Sequence, residues 1–321
     1  MKAVIFEQTG QAAEVLRLAE VKEPTAGVGE LLIRVAARPI HPADLLFIAG
    51  RYRVKPVFPQ VAGFDGVGTV LACGAGVENF TPGERVAFRS AGVWGEVAAV
   101  QVAKVYRVPT DVPDEIACQF PLNPLTAWGL LDECLLAPGS RLLITAGRSV
   151  VARLLTALAL RRGIEPFLLV REEGGYRVLA ADGKRTLTAG AEVAQALQNL
   201  DGITFQAVID AVGGPNTLAL IETITPGGRL ITYGLLDDRP LTLQSSTLLF
   251  KNLHWQGFGV DAWLARTQPE QLAAACDELW TLLGKEPELL PVVARFDLDQ
   301  IGEAIATLHT NHRPGKILLC G

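Results

Sequence analysis

The segment RLLITAGRSVVARLLTALALRRG, residues 141–163, has the pattern of a phosphate-binding turn. Its first seven residues are mostly apolar and predict a buried parallel strand, and residues 150–162 predict a helix. The residues of the turn are Gly147, Arg148, Ser149, Val150 and Val151. The first N–H groups of a helix have no partner within the helix, so they bind phosphate oxygens. The sequence therefore predicts that this turn holds the diphosphate of a dinucleotide.

The turn lacks most of the glycines that usually let a diphosphate approach the backbone. Ala152 replaces the last glycine, which is a small change because that position only packs the helix against the strand. Val150 is a larger change, because a β-branched residue disfavours the positive φ that glycine adopts. Arg148 and Ser149 add a guanidinium and a hydroxyl. Two interpretations stay open: a site that grips phosphate differently, or a site that has lost its ligand.

A second predicted strand, FLLVREE, ends where the adenosine ribose is recognised in dinucleotide-binding sheets. Arginine at this position suits a 2′-phosphate, so Arg171 favours NADPH over NADH. Glu172 and Glu173 follow directly and oppose a phosphate through like charge. Arg177, in the glycine-rich stretch that follows, is a second candidate for the phosphate contact.

The elements that position these residues are predicted from two kinds of sequence pattern. The first third of the chain has short period-two runs between Gly and Pro, which are typical of a compact β domain. From about Pro121, apolar strands alternate with helices, which predicts a doubly wound parallel sheet with right-handed crossovers. We expect a β-rich domain from residues 1–121 and 262–321, and an inserted α/β domain from residues 122–261.

Composition limits the classes of partner. The chain has 321 residues, of which 49% are apolar and 20% charged, as in soluble globular proteins. The net charge is −5 and no basic stripe is present, so we expect no nucleic-acid partner. No apolar run is long enough to span a bilayer, so we expect no membrane partner. The substrate is expected to be a small molecule.

Cysteine usage and the N-terminus indicate the compartment. The five cysteines are scattered and form no CxxC pair, which is typical of reduced thiols. The segment MKAVIFEQTG leads directly into a predicted strand and has neither a signal-peptide nor a transit-peptide pattern. We therefore expect a cytoplasmic protein.

Five collinear motifs carry a family resemblance: GERVAF, NPLTAW, VIDAVGG, GGRLITYG and PGKILL. In this order they resemble the medium-chain dehydrogenase/reductase superfamily. FIAGRY, LNPLTAWGLL and FKNLHWQGFGVDAW resemble its zinc-independent quinone oxidoreductases and enoyl thioester reductases. The resemblance implies a GroES-like catalytic domain, a Rossmann cofactor domain and a cleft between them. It also implies NADPH as cofactor and a homodimer joined through the edge strands of the cofactor domains.

The resemblance also indicates where a catalytic zinc ion would bind. The first ligand position is His41, the second is occupied by Phe64, and the third falls in FPLNPLTAW, which has no thiol. Catalytic zinc needs three protein ligands, so one histidine does not make a site. We expect no zinc, with His41 as a hydrogen-bonded polar residue and Asp65 as a turn residue.

The resemblance assigns catalytic roles to three residues. Tyr52 matches the tyrosine that enoyl thioester reductases place beside the nicotinamide, where a phenol protonates or hydrogen-bonds the developing enolate. Asn123 matches an asparagine near the cofactor, and Thr126 follows on the same helix face. Purely structural roles stay open, namely a packed loop tyrosine and an Asn-Pro helix start.

Further cofactor contacts are implied at three other segments. The residues concerned are Tyr233, Gly234 and Leu235 in TYGLL, Phe258, Gly259 and Val260 in GFGV, and Lys316 in PGKILL. Lys316 has the alternative role of a surface lysine beside an edge strand.

The leading prediction is an NADPH-dependent oxidoreductase that reduces quinones or α,β-unsaturated carbonyl compounds. One alternative is an enoyl-thioester reductase acting on enoyl-CoA or enoyl-ACP. The other is a noncatalytic relative with a degenerate cofactor site.

Overall fold

The computed structural model describes residues 1–308 and 315–321. Its strands are β1 (Lys2–Phe6), β2 (Arg17–Glu20), β3 (Glu30–Pro39), β4 (Gln60–Val61), β5 (Asp65–Cys73), β6 (Arg85–Arg89), β7 (Val97–Gln101), β8 (Val105–Arg107), β9 (Arg141–Ile144), β10 (Glu165–Glu172), β11 (Gly175–Leu179), β12 (Thr186–Gly190), β13 (Phe205–Asp210), β14 (Ile224–Thr232), β15 (His254–Gly257), β16 (Val292–Asp297) and β17 (Lys316–Cys320). Its α-helices are α1 (Ala12–Val15), α2 (Pro42–Ile48), α3 (Asp114–Ala117), α4 (Asn123–Glu133), α5 (Val150–Arg161), α6 (Val193–Gln198), α7 (Thr217–Glu222), α8 (Ser245–Lys251), α9 (Val260–Arg266), α10 (Pro269–Lys285) and α11 (Ile301–Leu308). Within these residues, no helix combines the length and the apolar character that crossing a bilayer requires.

The chain divides into two compact units. Unit 1 consists of Met1–Leu122 and Asp277–Gly321, and unit 2 is Asn123–Cys276. The second boundary between them falls inside α10.

Unit 1 is built on mainly antiparallel strands. One sheet has the order β16-β17-β3-β5-β6-β8, with β7 also paired to β3, and a smaller sheet has the order β2-β1-β4. Side chains alternate between the two faces of a strand, so one face of β3 is buried while the other is partly exposed. The core includes the large buried side chains Phe6, Phe47, Phe88 and Trp94. Each such aromatic side chain contributes about 1.5–3 kcal/mol by burial.

Helix α2 fixes the start of the Tyr52 loop. The His41 backbone N–H donates to Asp44 Oδ2 at 2.6 Å, which satisfies a donor at the helix N-terminus. After the helix ends at Ile48, Gly50 adopts a positive φ of 70°, which reverses the chain. The Tyr52 N–H then donates to the Leu46 carbonyl at 3.1 Å.

Unit 2 contains the predicted parallel sheet. The strand order is β12-β11-β10-β9-β13-β14-β15, and β10, β9, β13, β14 and β15 all pair in parallel. The central strands are apolar and buried along most of their length, as strands covered on both faces must be. The doubly wound α/β architecture expected from the sequence is therefore confirmed.

One part of the sheet differs from the prediction. The sequence led us to expect a helical crossover after β10, and α6 provides it, but the chain first folds back into β11, which is antiparallel to β10, and then into β12. Glu172 pairs with Gly175, so Glu173 and Gly174 alone make the turn. Gly174 and Gly175 have φ values of 86° and 141°, which other residues rarely adopt. The glycine pair therefore inserts a hairpin ahead of the helical crossover.

The ionisation of Asp44 predicts how the stability of unit 1 changes with pH. Burial raises the pKa of this carboxyl to about 7, and the nearby Asp65 carboxylate adds to the rise. An unfolded aspartate titrates near pH ~3.9, so between about pH 4 and about pH 7 the folded state holds a proton that the unfolded chain has lost. The free energy of unfolding therefore falls as the pH rises through this range.

Asp44→Asn removes this titration but keeps an oxygen that accepts the His41 N–H. We expect the melting temperature of the wild-type protein to fall further between about pH 5 and about pH 7.5 than that of the variant, as measured by calorimetry. Asp111→Asn, at an exposed position of unit 1, is the control and should keep the wild-type slope. Equal slopes for Asp44→Asn and wild type would contradict the elevated pKa.

Candidate active site

Unit 1 contains a cluster of ionisable side chains in its interior. Asp65 opens β5 and is fully buried, and Arg89 at the end of β6 lies directly opposite in the strand register. Arg89 Nη1 donates to Asp65 Oδ2 at 2.5 Å. The expectation that Asp65 is a turn residue was therefore wrong. Its sequence context, GFDG, resembles a turn, but its carboxylate is needed to pair with a buried guanidinium.

His41 also differs from the expectation. The side chain is 1% exposed, and neither ring nitrogen has a hydrogen-bond partner among the described residues. Its Nε2 lies 3.7 Å from Asp65 Oδ2, which is beyond hydrogen-bond distance. Burial lowers the pKa of His41 well below its usual value, and the charges of Lys316 and Arg89 lower it further. His41 is therefore neutral at neutral pH.

Tyr52 lies at the edge of the same cluster. Its ring contacts the Phe64 ring at a centroid distance of 5.3 Å, and Phe64 in turn packs on Phe47 at 4.8 Å. The Tyr52 hydroxyl oxygen is 3.4 Å from Arg89 Nη2. The structure thus brings Tyr52 and Phe64 together with the buried ion pair.

Lys316, the first residue of β17, belongs to the same surroundings in unit 1. Its positive charge lowers the pKa values of Asp44 and Asp65, against the larger effect of burial, which raises both. In residues 1–308 and 315–321, no group of three or more His, Cys, Asp or Glu side chains is arranged to hold a metal ion.

In unit 2, the turn after β9 is shaped by its contact with β10. The Gly147 N–H donates to the Leu169 carbonyl at 3.0 Å, and a Cβ on Gly147 would lie 2.8 Å from the Leu168 Cβ. Glycine is therefore required here for close approach. The strain expected at Val150 is not present, because Val150 is the first residue of α5; the left-handed residue is Ala146, with a φ of 47°.

The N-terminus of α5 offers donors for an anion. The Ser149 side chain caps the helix by accepting the Ala152 N–H at 3.1 Å, and it also bonds the Tyr233 hydroxyl. Burial raises the pKa of Tyr233 and the Ser149 bond opposes the rise, so this phenol stays protonated. The N–H groups of Val150 and Val151 have no acceptor within the helix because of their position. This donor set fits a diphosphate.

The end of β10 brings two arginines around one carboxylate. Arg148 pairs with Glu172, and Arg177 Nε on β11 lies 3.0 Å from Glu172 Oε2. Arg171 is exposed on the preceding position of the strand and does not join this group, because successive side chains point to opposite faces. Glu172 therefore bridges the two arginines.

The neighbouring loops are tied together by Asp210, which sequence analysis did not identify. This fully buried carboxylate accepts from the Thr145 hydroxyl at 2.8 Å and from the Gly213 N–H at 3.2 Å. An acidic residue at the end of an apolar strand, as in VIDAVGG, was the available signal. Gly234 follows β14, and a Cβ there would lie 2.2 Å from the Ala211 carbonyl oxygen.

The remaining predicted residues lie on or near α4 and in the loop beyond β14. Asn123 opens α4, is buried, and its Nδ2 has no hydrogen-bond partner among the described residues, while Thr126 is buried on the same helix. The rings of Phe258 and Trp263 cover Gly129 of α4, where a Cβ would lie 2.8 Å from each. Gly259 lies in the turn before α9, and Val260 lies in the first turn of α9. Leu235 lies at an exposed position after β14.

Comparison with known proteins agrees with this architecture. The alcohol dehydrogenase GroES-like domain model matches residues 27–138, and the zinc-binding dehydrogenase model matches residues 174–319. The mitochondrial enoyl-[acyl-carrier-protein] reductase of Arabidopsis thaliana is 28% identical over 309 residues, which cover 90% of this chain and 81% of the relative. The corresponding reductase of Bos taurus is 29% identical over 282 residues, which cover 84% of this chain and 75% of the relative.

Solved structures give the same result for the fold. A candidate NADPH:quinone reductase from Mesorhizobium loti has a TM-score of 0.87 at 26% identity, covering 100% of this chain and 98% of that chain. A mycobacterial quinone oxidoreductase has a TM-score of 0.84 at 24% identity, covering 100% of both chains. The two domain models, these relatives and the two-unit architecture lead to one assignment. The chain belongs to the medium-chain dehydrogenase/reductase superfamily of oxidoreductases.

Proposed function

We propose that this protein is an NADPH-dependent oxidoreductase that reduces quinones or α,β-unsaturated carbonyl compounds without zinc. The observation that carries the proposal is the β9–turn–α5 segment, in which Gly147 lets the turn pack against β10 and the helix presents free amides. Solved relatives that include a mycobacterial protein in complex with NADPH support the choice of cofactor.

The residues that would hold the cofactor are in unit 2. The N–H groups of Val150 and Val151 would bind the diphosphate, and Arg148 and Arg177 would bind the 2′-phosphate in place of Glu172. When bound, NADPH supplies the hydride. The contacts predicted for Arg171, Tyr233, Gly234, Leu235, Phe258, Gly259, Val260 and Lys316 stay part of the proposal.

The residues proposed for the substrate side are Tyr52, Asn123 and Thr126. Tyr52 would donate its phenolic proton to the carbon next to the substrate carbonyl, and the free Asn123 amide would donate a hydrogen bond to an oxygen acceptor. Independence from zinc is supported by Phe64, which stands where the family resemblance places the second zinc ligand and whose ring packs on Phe47.

A second candidate is an enoyl-thioester reductase, acting on enoyl-CoA or enoyl-ACP. Its support is that curated relatives from plants and animals carry the name enoyl-[acyl-carrier-protein] reductase. Both candidates share the chemistry of a double bond conjugated to a carbonyl, so they differ in the group attached to the carbonyl.

A homodimer is supported by the surface of unit 2. Strand β15 is at the edge of its sheet, and the preceding helix α8 exposes Leu249 and Phe250 at 73% and 82%. Apolar side chains this exposed next to an unpaired strand edge are typical of a protein interface. A second copy of the chain would extend the sheet and cover both features.

A cytoplasmic location is supported by the thiols. Among the residues that the structure describes, none of the five cysteines forms a disulfide, which suits a reducing compartment.

The proposal is tested first by cofactor binding and turnover. Titration with NADPH, followed by nicotinamide fluorescence, should give micromolar affinity, and reduction of a quinone, an enone and crotonyl-CoA separates the two candidates. Absence of binding of both NADPH and NADH would instead favour a noncatalytic relative.

Tyr52→Phe should lower kcat about 100-fold with unchanged NADPH affinity, because only the proton donor is lost. Tyr106→Phe, a half-buried tyrosine on β8, is the control. Equal loss of binding and turnover in Tyr52→Phe would reject its role.

Cofactor preference is tested at Glu172. Glu172→Gln removes the carboxylate that competes with a 2′-phosphate for Arg148 and Arg177, so NADPH affinity should rise about tenfold, or about 1.4 kcal/mol. NADH affinity should change little. Glu165→Gln, in another ion pair of unit 2 with Arg141 at 3.5 Å, is the matched control. A loss of NADH affinity with unchanged NADPH affinity would show that Glu172 binds the ribose hydroxyls instead.

The dimer is tested on α8. The wild-type protein should have the mass of two chains in light scattering, and the double variant Leu249→Asp/Phe250→Asp should have the mass of one, since buried charges oppose association. Val28→Asp, at a position 78% exposed in unit 1, should stay dimeric. A monomeric wild-type protein would refute the proposal.

A further inference from the structure

The Asp65–Arg89 pair is unusual because it is buried although neither residue has a role in the proposed chemistry. Asp65 is 0% exposed and Arg89 is 7% exposed. A buried ion pair recovers only part of its desolvation cost, so it is weak evidence for a purely stabilising role. Its neighbours therefore indicate what it does.

The guanidinium of Arg89 has two arms that point to different partners. Nη1 contacts Asp65 Oδ2 at 2.5 Å, and Nη2 lies 3.4 Å from the Tyr52 hydroxyl oxygen. The planar group also lies over the Phe64 ring at 5.2 Å, and the Phe64 and Tyr52 rings meet at 5.3 Å. Asp65 and Phe64 thus fix the plane of the guanidinium. This plane determines the direction in which Nη2 points, which is towards the Tyr52 hydroxyl.

The direction of this contact has a chemical consequence. A guanidinium only donates hydrogen bonds, so the Tyr52 oxygen must be the acceptor. The hydrogen of the phenol is then directed away from Arg89 and is available to another acceptor. Burial alone would lower the pKa of Arg89, but Asp65 and Tyr52 raise it above its ordinary value, so the charge is permanent.

We propose that Arg89, held by Asp65, is a positioning residue that orients the Tyr52 hydroxyl for proton donation. The inference rests on the proposed function. In the step concerned, the Tyr52 O–H bond breaks and a C–H bond forms at the carbon next to the substrate carbonyl. The electron pair of the O–H bond stays on the phenol oxygen, and that negative charge faces Arg89 until water returns the proton.

The same geometry accounts for the other buried groups. Burial raises the pKa of Asp65, and Arg89 opposes this rise, so the carboxylate depends on its partner to stay ionised. His41 is neutral and cannot replace Arg89 as the cation for Asp65. Lysine at position 89 could, but it has only one nitrogen, so it cannot hold Asp65 and reach Tyr52 along the same two directions.

The test is a double-mutant cycle with Arg89→Lys, Tyr52→Phe and the combined variant. Arg89→Lys should lower kcat about tenfold or more in the wild-type background, with unchanged KM for NADPH, and by less than about twofold in the Tyr52→Phe background. A structural role would lower kcat by the same factor in both backgrounds, and that result would overturn the inference. If Tyr52→Phe alone leaves turnover unchanged, the proposed role of Tyr52 fails as well.

Two further variants complete the test: one is a matched control, and the other is used if Arg89→Lys does not fold. Arg85→Lys is the matched control, since Arg85 also lies on β6 and pairs with Asp114 at 2.7 Å; it should leave kcat unchanged. If Arg89→Lys does not fold, Asp65→Asn keeps an acceptor for Nη1 but weakens the hold on the guanidinium. It should likewise lower kcat only when Tyr52 is present, and equal effects with and without Tyr52 would overturn the inference.

Discussion

The burial of charged side chains is the constraint on which both units depend. Asp65 and Arg89 face each other across β5 and β6, fully buried Arg38 donates to main-chain carbonyls, and Asp210 accepts from the loops at the end of β13. Removing one partner of a buried pair costs about 3–5 kcal/mol, a large part of the ~5–15 kcal/mol that keeps a domain folded. The strands that carry these residues are therefore held in one register, and the loops beyond them are fixed in place.

In and near the altered turn of unit 2, glycine is needed because a neighbouring strand or loop lies very close to its Cα. A positive φ is not the reason. Gly147 and Gly234 lie where a Cβ would collide with a neighbouring strand or loop, so no other residue fits. The positive φ falls instead on Ala146, at a cost of about 1–2 kcal/mol. Val150 is helical and unstrained. A glycine-poor turn therefore keeps the shape that the helix amides need, although its sequence departs from the usual pattern.

Local signals explain what could be predicted from the sequence. Apolar runs and helical periodicity identified the parallel strands and α5, because a buried element needs apolar residues at regular spacing along the chain. The β11–β12 hairpin was not predicted, because a glycine-rich polar stretch contains no signal for the strand with which it pairs. The Asp65–Arg89 pair was missed for a similar reason: the two residues are 24 positions apart, and GFDG alone resembles a turn. Tyr52 was identified only through family resemblance, and its arginine neighbour has no sequence signal.

The hairpin after β10 also bears on how the sheet assembles. Thr145 and Asp210 form a hydrogen bond between the ends of β9 and β13, although 65 residues separate them. Pairing of β9 with β13 therefore has the entropy cost of closing a long loop. By contrast, β10, β11 and β12 follow one another and close by tight turns, which lowers the entropy cost of their pairing. We expect these three strands to form early, as a local template on which the distant strands later add. The glycines of one short turn would then influence the order of folding events as well as the final architecture.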